Sequence, residues 1–331
     1  MATSGEDDLI ARHFAPIAGP GGLGLLDDAA CLPVRPGREL VLTADALVAG
    51  VHFLPDDPPD TIAVKALGVN LSDLAAKGAE PEGFLLSLAL ADGWTDGWLA
   101  AFCQGLAGEA RAHGCPLLGG DTVRTPGPLT LSVTALGSVP AGTMVRRTTA
   151  RPGDLVCVTG TIGDAALGLL VLTGAPWAAG LGAEERAFLA DRYRRPRPRL
   201  ALGAALRRYA SAAMDVSDGL AGDLAKLLRA GGVTGTLHLD RIPLSPAARA
   251  VIARGPVLLD RIAGGGDDYE ILFTLPPGRR NAMTDEAAAL GLAVTIVGEV
   301  GDGEAPLAVR LDGEPYRLVR PSYEHSWRAA S

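Results

Sequence analysis

The stretch Lys65-Ala-Leu-Gly-Val-Asn-Leu-Ser-Asp-Leu-Ala-Ala-Lys-Gly-Ala79 combines a helical pattern with an isolated acidic residue. Apolar residues recur at helical spacing over residues 61–76, and this periodicity predicts a helix. Asp73 lies inside that helix among serine, leucine and alanine rather than among other charges. A carboxylate in such surroundings is expected to be partly buried, so it needs a cation or hydrogen-bond donors.

Other aspartates lie in the same kind of sequence, flanked by glycine, alanine, serine or leucine. Oxygen ligands of this type suit the hard cation Mg²⁺. Taken one at a time, each aspartate could equally be a turn former or a helix cap, and that alternative stays open. As a set they favour a site for magnesium and phosphate groups. The set comprises Asp27, Asp28, Asp45, Asp73, Asp121, Asp215, Asp218, Asp267 and Asp268.

Strands and helices are predicted to alternate around these aspartates, from the period of the apolar residues. Asp45 and Asp121 are each expected at the end of a strand. Strands are predicted at residues 29–34, 40–43, 84–90, 129–139, 155–159, 271–275 and 293–297. Helices are predicted at residues 61–76, 98–113, 164–172, 220–230 and 282–290, with an Arg- and Pro-rich link at 192–199.

The composition argues against several classes of protein. The chain has 331 residues, long enough for two domains, and 48% of them are hydrophobic, enough for sizeable cores. Its formal net charge of −8 argues against binding to nucleic acid. The acidic N-terminus lacks a signal-peptide pattern, and the longest apolar runs are too short to span a membrane. The four cysteines include no CxxC pair, which favours a reducing cytoplasm.

Several familiar motifs are missing or out of place. The five histidines show no zinc-binding spacing. Residues 19–24 match GxGxxG, but a helix is predicted before them and strand-like sequence after them, so we interpret them as a loop and not a dinucleotide fingerprint. The chain has neither a Walker A sequence nor a GxSxG motif. The strand, turn and helix at residues 156–170 could present backbone amides to an anion, or be an ordinary turn.

Eight short strings, taken in order, resemble the thiamine-monophosphate kinase family of the aminoimidazole-ribonucleotide-synthetase-like superfamily. Each string alone is a weak signal, but the combination is specific, and the resemblance extends from about residue 5 to about residue 325. The strings occupy residues 26–30, 43–53, 65–79, 118–122, 147–154, 158–164, 215–220 and 265–270.

The resemblance implies a two-domain PurM-like fold of the α+β / α/β class. Residues 1–146 would form an N-terminal α+β domain that binds metal and ATP, and its sheet would join that of a partner to form a homodimer. Residues 147–331 would form a C-terminal α/β domain that closes over nucleotide and substrate. Neither nucleic acid nor a membrane is implied as a partner.

The resemblance also implies a reaction, in which ATP and thiamine monophosphate give ADP and thiamine diphosphate with several Mg²⁺ ions in the cytoplasm. Asp45, Asp121 and Arg147 would carry catalysis. The metal ligands would be Asp28, Thr43, Asp45, Asp73, Asp121, Asp215 and Asp218. The contacts to ATP would be Gly120, Asp121, Arg147 and Ser217, and those to the thiamine substrate His52, Asp267 and Tyr323.

The chemistry of the acceptor explains why no catalytic dyad is needed. A phosphate monoester has a second pKa of about 6, so the acceptor is mostly a dianion at neutral pH and needs no general base. The difficulty is to bring two polyanions together. Catalysis would therefore rest on positioning and charge neutralisation during direct in-line transfer.

The chain departs from the family at two of the proposed substrate contacts. Asp267 stands where the family usually has glutamate, and residues 322–326 differ from the family's C-terminal motif. Three alternative functions are weighed against the kinase. They are another ATP-dependent synthetase of the same superfamily (selenophosphate or purine-pathway type), a non-catalytic thiamine-phosphate sensor, and a metal-dependent phosphatase.

Overall fold

The computed structural model describes residues 5–253, 255, 258–302 and 307–323. The chain forms two compact units, Met1–Met144 and Val145–Ser331. Each unit has a β-sheet with helices packed against it. Within the described ranges, no helix is both long enough and apolar enough to cross a membrane.

The first unit is built on a four-stranded sheet. Its strands are β1 (Arg38–Val48), β2 (Glu80–Ala91), β3 (Leu117–Thr125) and β4 (Thr130–Pro140). Its helices are α1 (Gly5–Leu9), α2 (Pro59–Ala76) and α3 (Asp96–His113). The strand order is β1-β4-β2-β3, in which β1 and β2 are antiparallel to β4 and β3 is parallel to β2.

Helices α2 and α3 pack on each other, and α2 lies against β1 and β4. Most residues of α2 are buried, because its sequence is apolar or small on nearly every side. Along β1 the side chains alternate, with Val41 and Leu47 buried and Leu40 and Leu42 exposed. One face of the sheet therefore carries the core, and the other face of this unit presents apolar side chains.

The strand predicted at residues 29–34 is wrong. The segment is irregular, and Cys31 and Val34 are exposed. Pro33 and Pro36 have no amide hydrogen to donate to a ladder, so pairing is unfavourable here. Residues 19–24 belong mainly to a 3₁₀ turn, Pro20–Leu25, that packs on β3.

The predicted positions of Asp45 and Asp121 at strand ends are also wrong. β1 continues three residues beyond Asp45 to Val48, and β3 continues to Thr125. Both strands are extended by pairing with neighbours, since Asp45 is opposite Val133 and Asp121 is opposite Ser87. Local sequence could not show this, because strand length here depends on partners distant in the chain.

The second unit is built on a seven-stranded sheet. Its strands are β5 (Leu155–Thr159), β6 (Ala212–Asp215), β7 (Thr234–His238), β8 (Ile271–Leu275), β9 (Val294–Gly301), β10 (Ala308–Leu311) and β11 (Glu314–Pro315). Its helices are α4 (Asp164–Leu172), α5 (Ala183–Arg194), α6 (Gly203–Tyr209), α7 (Leu220–Gly231), α8 (Pro246–Ile252), α9 (Leu259–Gly264) and α10 (Arg280–Ala289). The order is β11-β10-β7-β9-β5-β8-β6, and β10 is parallel to β7 while the other neighbours are antiparallel.

The core of the second unit joins the sheet to α7, through side chains such as Val156, Leu272 and Leu224. The predicted helix at 164–172 and the predicted strand at 271–275 are confirmed. Strands β6, β7, β10 and β11 were not predicted. β6, β10 and β11 have only four, four and two residues, and β7 shows no run of apolar residues. The predicted link at 192–199 is partly wrong, since its first three residues complete α5.

Candidate functional site

Three predicted metal ligands meet where β1 faces α2 in the first unit. Thr43 Oγ1 donates a hydrogen bond to Asp73 Oδ2. Asp45 lies two residues further along β1, so its side chain is on the same face as that of Thr43. The Asp45 backbone N–H donates to Asn70 Oδ1 at 3.1 Å, and Asn70 lies about one helical turn before Asp73. Regular elements therefore hold the predicted ligands Thr43, Asp45 and Asp73 at one corner.

A cavity of about 820 Å³ lies beside β2 and β3 in the first unit. It is lined by Asp28, Gly120 and Asp121, so three predicted site residues share one cavity. Gly120 has no room for a side chain, since a Cβ would lie 1.8 Å from the Leu86 carbonyl oxygen. This glycine lets the two strands approach immediately before Asp121. Many of the other lining residues are apolar, as is usual in a small-molecule pocket.

His52, a predicted substrate contact, lies in the turn that follows β1. Its Nδ1 accepts a hydrogen bond from the Val48 backbone N–H at 3.0 Å. A ring nitrogen that accepts carries no proton, so this bond selects the neutral tautomer with the proton on Nε2. The Gly50 N–H donates to the Phe53 carbonyl oxygen at 2.8 Å and closes the turn. The predicted contact is thus a half-buried histidine with a defined donor atom.

Three segments distant in the sequence meet in the second unit, at residues 215–218, 266–270 and 322–323. The Asp267 N–H donates to the Ser217 carbonyl oxygen at 2.9 Å, and the Tyr323 N–H donates to the Asp218 carbonyl oxygen at 2.9 Å. The backbone bonds of these segments bring together five predicted site residues. They are Asp215, Ser217, Asp218, Asp267 and Tyr323.

Glycines permit this close meeting of backbones. A Cβ on Gly266 would lie 2.3 Å from the Ser217 carbonyl oxygen. A Cβ on Gly219 would lie 2.6 Å from the Gly264 carbonyl carbon, and Gly219 has a φ of 113° that L side chains rarely adopt. Gly219 and Gly266, which adjoin the acidic residues Asp218 and Asp267, are therefore required where the backbones of these segments cross.

Two residues of the segment 266–270 carry backbone strain. Asp267 and Tyr269 have φ values of 72° and 50°. This left-handed conformation costs a residue other than glycine roughly 1–2 kcal/mol. Between them, Asp268 is fully buried and accepts hydrogen bonds from the N–H groups of Gly163 at 2.7 Å and Ala165 at 3.3 Å. Burial raises the pKa of Asp268 well above its ordinary value, although these two bonds oppose the rise.

Asp223 and Lys226, on α7, were missed at the sequence level. The buried Asp223 Oδ2 accepts the N–H groups of Ser217 at 3.0 Å and Asp218 at 2.9 Å. Lys226 Nζ donates to Asp223 Oδ1 at 2.9 Å and to Asp218 Oδ2 at 2.5 Å. Burial raises the pKa of Asp223, whereas its bond to Lys226 lowers it. An acidic residue and a lysine three positions apart, just after the Asp218 motif, were the available signal.

Glu270, Arg192 and Arg199 form a second polar group that sequence reasoning missed. Arg192 Nη2 donates to Glu270 Oε1 at 3.0 Å, and Arg199 Nε donates to Glu270 Oε2 at 2.7 Å. Glu270 and Arg192 are buried, and Arg199 is mostly buried. The arginines were interpreted as part of a link, because only the fold shows the carboxylate that they surround.

The donor chemistry of the predicted ligands fits magnesium. All are carboxylate or hydroxyl oxygens, the ligands that Mg²⁺ prefers. Across the described residues, no three His, Cys, Asp or Glu side chains come close enough to hold a metal ion by themselves. Magnesium in phosphate-transfer sites is commonly held by one or two carboxylates together with substrate phosphates and water. The arrangement therefore fits ions that are completed by a polyphosphate.

The second unit also contains the predicted residues Arg147, Asp215 and Tyr323. Arg147 is exposed near the start of the unit, and Asp215 ends β6. Tyr323 is the last described residue of the altered C-terminal motif, and residues 324–326 lie outside the described part of the chain.

The three buried cysteines do not offer a nucleophile. All four are within the described residues and are free thiols. Burial raises the pKa of Cys103, Cys115 and Cys157 to about 12, so these thiols stay protonated and unreactive at neutral pH.

Comparisons with known proteins identify the family of the chain. The family model described as AIR synthase related protein, N-terminal domain, matches residues 26–139, and the corresponding C-terminal domain matches residues 151–308. The thiamine-monophosphate kinase of Caulobacter vibrioides is 46% identical over 308 residues, which cover 90% of this chain and 85% of that protein.

Solved structures give the same result for the fold. The crystal structure of thiamine-monophosphate kinase from Stenotrophomonas maltophilia K279a is 42% identical, with a TM-score of 0.79, covering 88% of this chain and 91% of that one. AaThiL complexed with AMPPCP and TMP is 29% identical, with a TM-score of 0.77, covering 97% and 94%. The predicted PurM-like fold is confirmed. The chain therefore belongs to the thiamine-monophosphate kinase family of AIR synthase related proteins.

Proposed function

We propose that this protein transfers the γ-phosphoryl group of ATP to thiamine monophosphate, giving ADP and thiamine diphosphate. The observation that carries the proposal is the backbone junction of Ser217, Asp267 and Tyr323 in the second unit. The first of these is a proposed ATP contact and the other two are proposed substrate contacts, so donor and acceptor sites would be adjacent. The similarity to AaThiL, which was solved with AMPPCP and TMP, supports the same pairing of ligands.

The transfer itself needs no general base. A terminal oxygen of the thiamine monophosphate dianion attacks the γ-phosphorus of ATP, and the bond to the β,γ-bridging oxygen breaks, so ADP leaves in line. Bound magnesium would supply positive charge to the phosphate groups. Arg147, which is exposed at the start of the second unit, would add a further positive charge near the transferred group.

The proposed metal ligands fall into three groups. Thr43, Asp45 and Asp73 form the corner between β1 and α2, and Asp28 and Asp121 line the first unit's cavity. Asp215 and Asp218 belong to the second unit. In the first group, a carboxylate presents two oxygens, so Asp73 can keep its bond to Thr43 and still ligate an ion.

The thiamine part of the substrate matches the side chains proposed to contact it. Thiamine carries a thiazolium cation and an amino group, and the Asp267 carboxylate suits either of them. His52 has its donor proton on Nε2 because its Nδ1 accepts from Val48, so it can donate to an acceptor atom of the substrate. Tyr323 supplies an aromatic ring and a hydroxyl group.

The open face of the first unit's sheet supports a homodimer. Leu40, Leu42, Leu85 and Val123 point to the same face and are 64%, 61%, 38% and 50% exposed. A face of this kind is typical of an interface, because a monomer in water gains nothing by exposing it. Free cysteines and the use of ATP support a cytoplasmic location.

The experiment is a substrate panel with product masses. The purified protein is incubated with ATP and Mg²⁺ together with thiamine monophosphate, thiamine, selenide or phosphoribosyl amines. We expect ADP only with thiamine monophosphate, with a product heavier by one phosphate. A phosphorylated product formed with ATP and another acceptor would favour the other superfamily enzymes. Phosphate released from thiamine monophosphate in a parallel incubation that omits ATP would favour a phosphatase. Binding of thiamine monophosphate without turnover would favour a sensor.

A further inference from the structure

The Glu270 side chain is fully buried at the base of the junction in the second unit. Its carboxylate accepts hydrogen bonds from Arg192 Nη2 at 3.0 Å, Arg199 Nε at 2.7 Å and Thr159 Oγ1 at 2.7 Å, and a further bond from Arg199 Nη2. Its backbone carbonyl oxygen accepts from Val216 N–H at 2.9 Å. One residue therefore ties the end of the Asp267 motif to two arginines and to the neighbouring segment.

Arg192 contacts this motif at two points. The same Nη2 atom that donates to Glu270 also donates to the Asp268 backbone carbonyl oxygen at 3.2 Å. Nη2 carries two hydrogens, so this one nitrogen can serve both acceptors, one on each side of Tyr269. Arg192 lies on α5 and is itself buried, so its position is set by a regular element.

Buried residues alternate with partly exposed residues along the segment 267–270. Asp268 and Glu270 are buried and held by the hydrogen bonds described above, whereas Asp267 and Tyr269 are partly exposed and have left-handed backbone. A left-handed residue other than glycine persists only where its surroundings determine it. Here those surroundings are the anchored neighbours and the N–H bonds from Asp267 to Ser217 and from Tyr269 to Val216.

We infer that Arg192 and Arg199, acting through Glu270, are positioning residues that set the conformation of Asp267 for the acceptor substrate. They touch no reacting atom. Their effect is to keep the strained segment from relaxing, so that the Asp267 carboxylate is held ready at little cost when substrate binds. This inference rests on the proposed function for the identity of the acceptor, and on the geometry alone for the positioning.

The first test compares Arg192→Lys and Arg192→Met in the full-length protein. Lysine can restore one of the two contacts and methionine neither. We expect KM for thiamine monophosphate to rise about tenfold or more in Arg192→Met and by less in Arg192→Lys, while KM for ATP stays within about twofold. The matched control is Arg197→Lys, because Arg197 is an exposed arginine of the same segment and pairs with Asp191. It should leave both KM values unchanged.

The second test is a double-mutant cycle with Asp267→Gly, which removes the side chain and accepts a positive φ without strain. If Arg192 acts through Asp267, Arg192→Lys should have no further effect on KM for thiamine monophosphate in the Asp267→Gly background. An equal effect in both backgrounds would overturn the inference. If the Arg192 variants do not fold, Arg199→Lys is used instead, since Arg199 is less buried and its bonds reach the same carboxylate.

Hydrogen exchange separates failure of this inference from failure of the proposed function. The amides of Asp267 and Tyr269 are bonded in the junction, so peptides covering residues 266–270 should exchange faster in Arg192→Lys than in wild type or Arg197→Lys. Faster exchange in a protein that does not use thiamine monophosphate would support the positioning and contradict the kinase. Unchanged exchange with unchanged KM in an active kinase would overturn the positioning alone.

Discussion

The corner at Thr43 and Asp73 and the junction at Asp218 and Asp267 are assembled in different ways. The corner lies on β1 and α2, which would form whether or not a site were there, and its side chains simply face each other. The junction lies on irregular segments whose backbones cross so closely that glycine is required. It is held by buried charges and by backbone bonds between distant residues. The partly buried side chains of the corner can therefore be changed with little effect on folding, whereas the junction combines stability and function.

The largest expected effect comes from removing the charge at the base of the junction. Glu270→Leu leaves two arginines without their carboxylate, and breaking a buried ion pair in this way lowers the free energy of unfolding by about 3–5 kcal/mol. Urea unfolding monitored by circular dichroism measures this loss in the free energy of unfolding. The control is Asp92→Asn, which breaks the exposed pair with Arg124 in the first unit. Solvent screens that pair, so its unfolding midpoint should not change.

The next largest effect is expected at the corner of Thr43, Asp45 and Asp73, where a substitution should reduce activity without reducing stability. Asp45→Asn keeps the shape of the side chain but removes its charge, so we expect kcat/KM for Mg²⁺-dependent turnover to fall by on the order of 100-fold or more. The free energy of unfolding should stay within about 1 kcal/mol of wild type, because Asp45 lies on a regular strand and is not fully buried. Full activity in both Asp45→Asn and Asp121→Asn would contradict the proposed metal ligands.

A glycine substitution tests the crossing of backbones directly. Gly266→Ala places a Cβ 2.3 Å from the Ser217 carbonyl oxygen, so the segments must separate. Overpacking of this kind costs about 1–3 kcal/mol, which differential scanning calorimetry can measure. Gly278→Ala is the matched control in the same unit, since a Cβ there meets nothing within 4 Å. Equal stability of the two variants would show that the junction is looser than its geometry indicates.

The smallest effect is a change in the pH dependence of stability. Burial raises the pKa of Asp268, so the folded protein holds its proton at pH values where the unfolded chain has lost it. Stability from this group is complete below the ordinary pKa of 3.8 and is lost as pH rises towards the raised value. Asp268→Asn should therefore flatten the decline in stability above about pH 4. Asp285→Asn, on the exposed side of α10, should leave that decline as in wild type.

The site was more predictable at the corner than at the junction. Asp73 and its neighbours follow from local periodicity, and the helix predicted at residues 61–76 is confirmed within two residues. At the junction the acidic residues could be recognised, but the groups that hold them were not. Asp223 and Lys226 are within eight positions of their partners, so their spacing was a local signal that went unused. Arg192 and Glu270 are 78 positions apart, so no local pattern contains their pairing.

The sequence by itself determined the elements with strong periodicity, the small-residue surroundings of the aspartates and, through the order of short strings, the family. These features depend on residues within about ten positions of each other, where the period of apolar residues and the size of neighbours decide the outcome. The tertiary structure alone decided where strands end, which glycines are steric requirements, and which buried charges anchor Asp267. Each of those depends on a partner far along the chain, such as Leu86 opposite Gly120 or Ser217 opposite Gly266, so only the folded chain brings the two together.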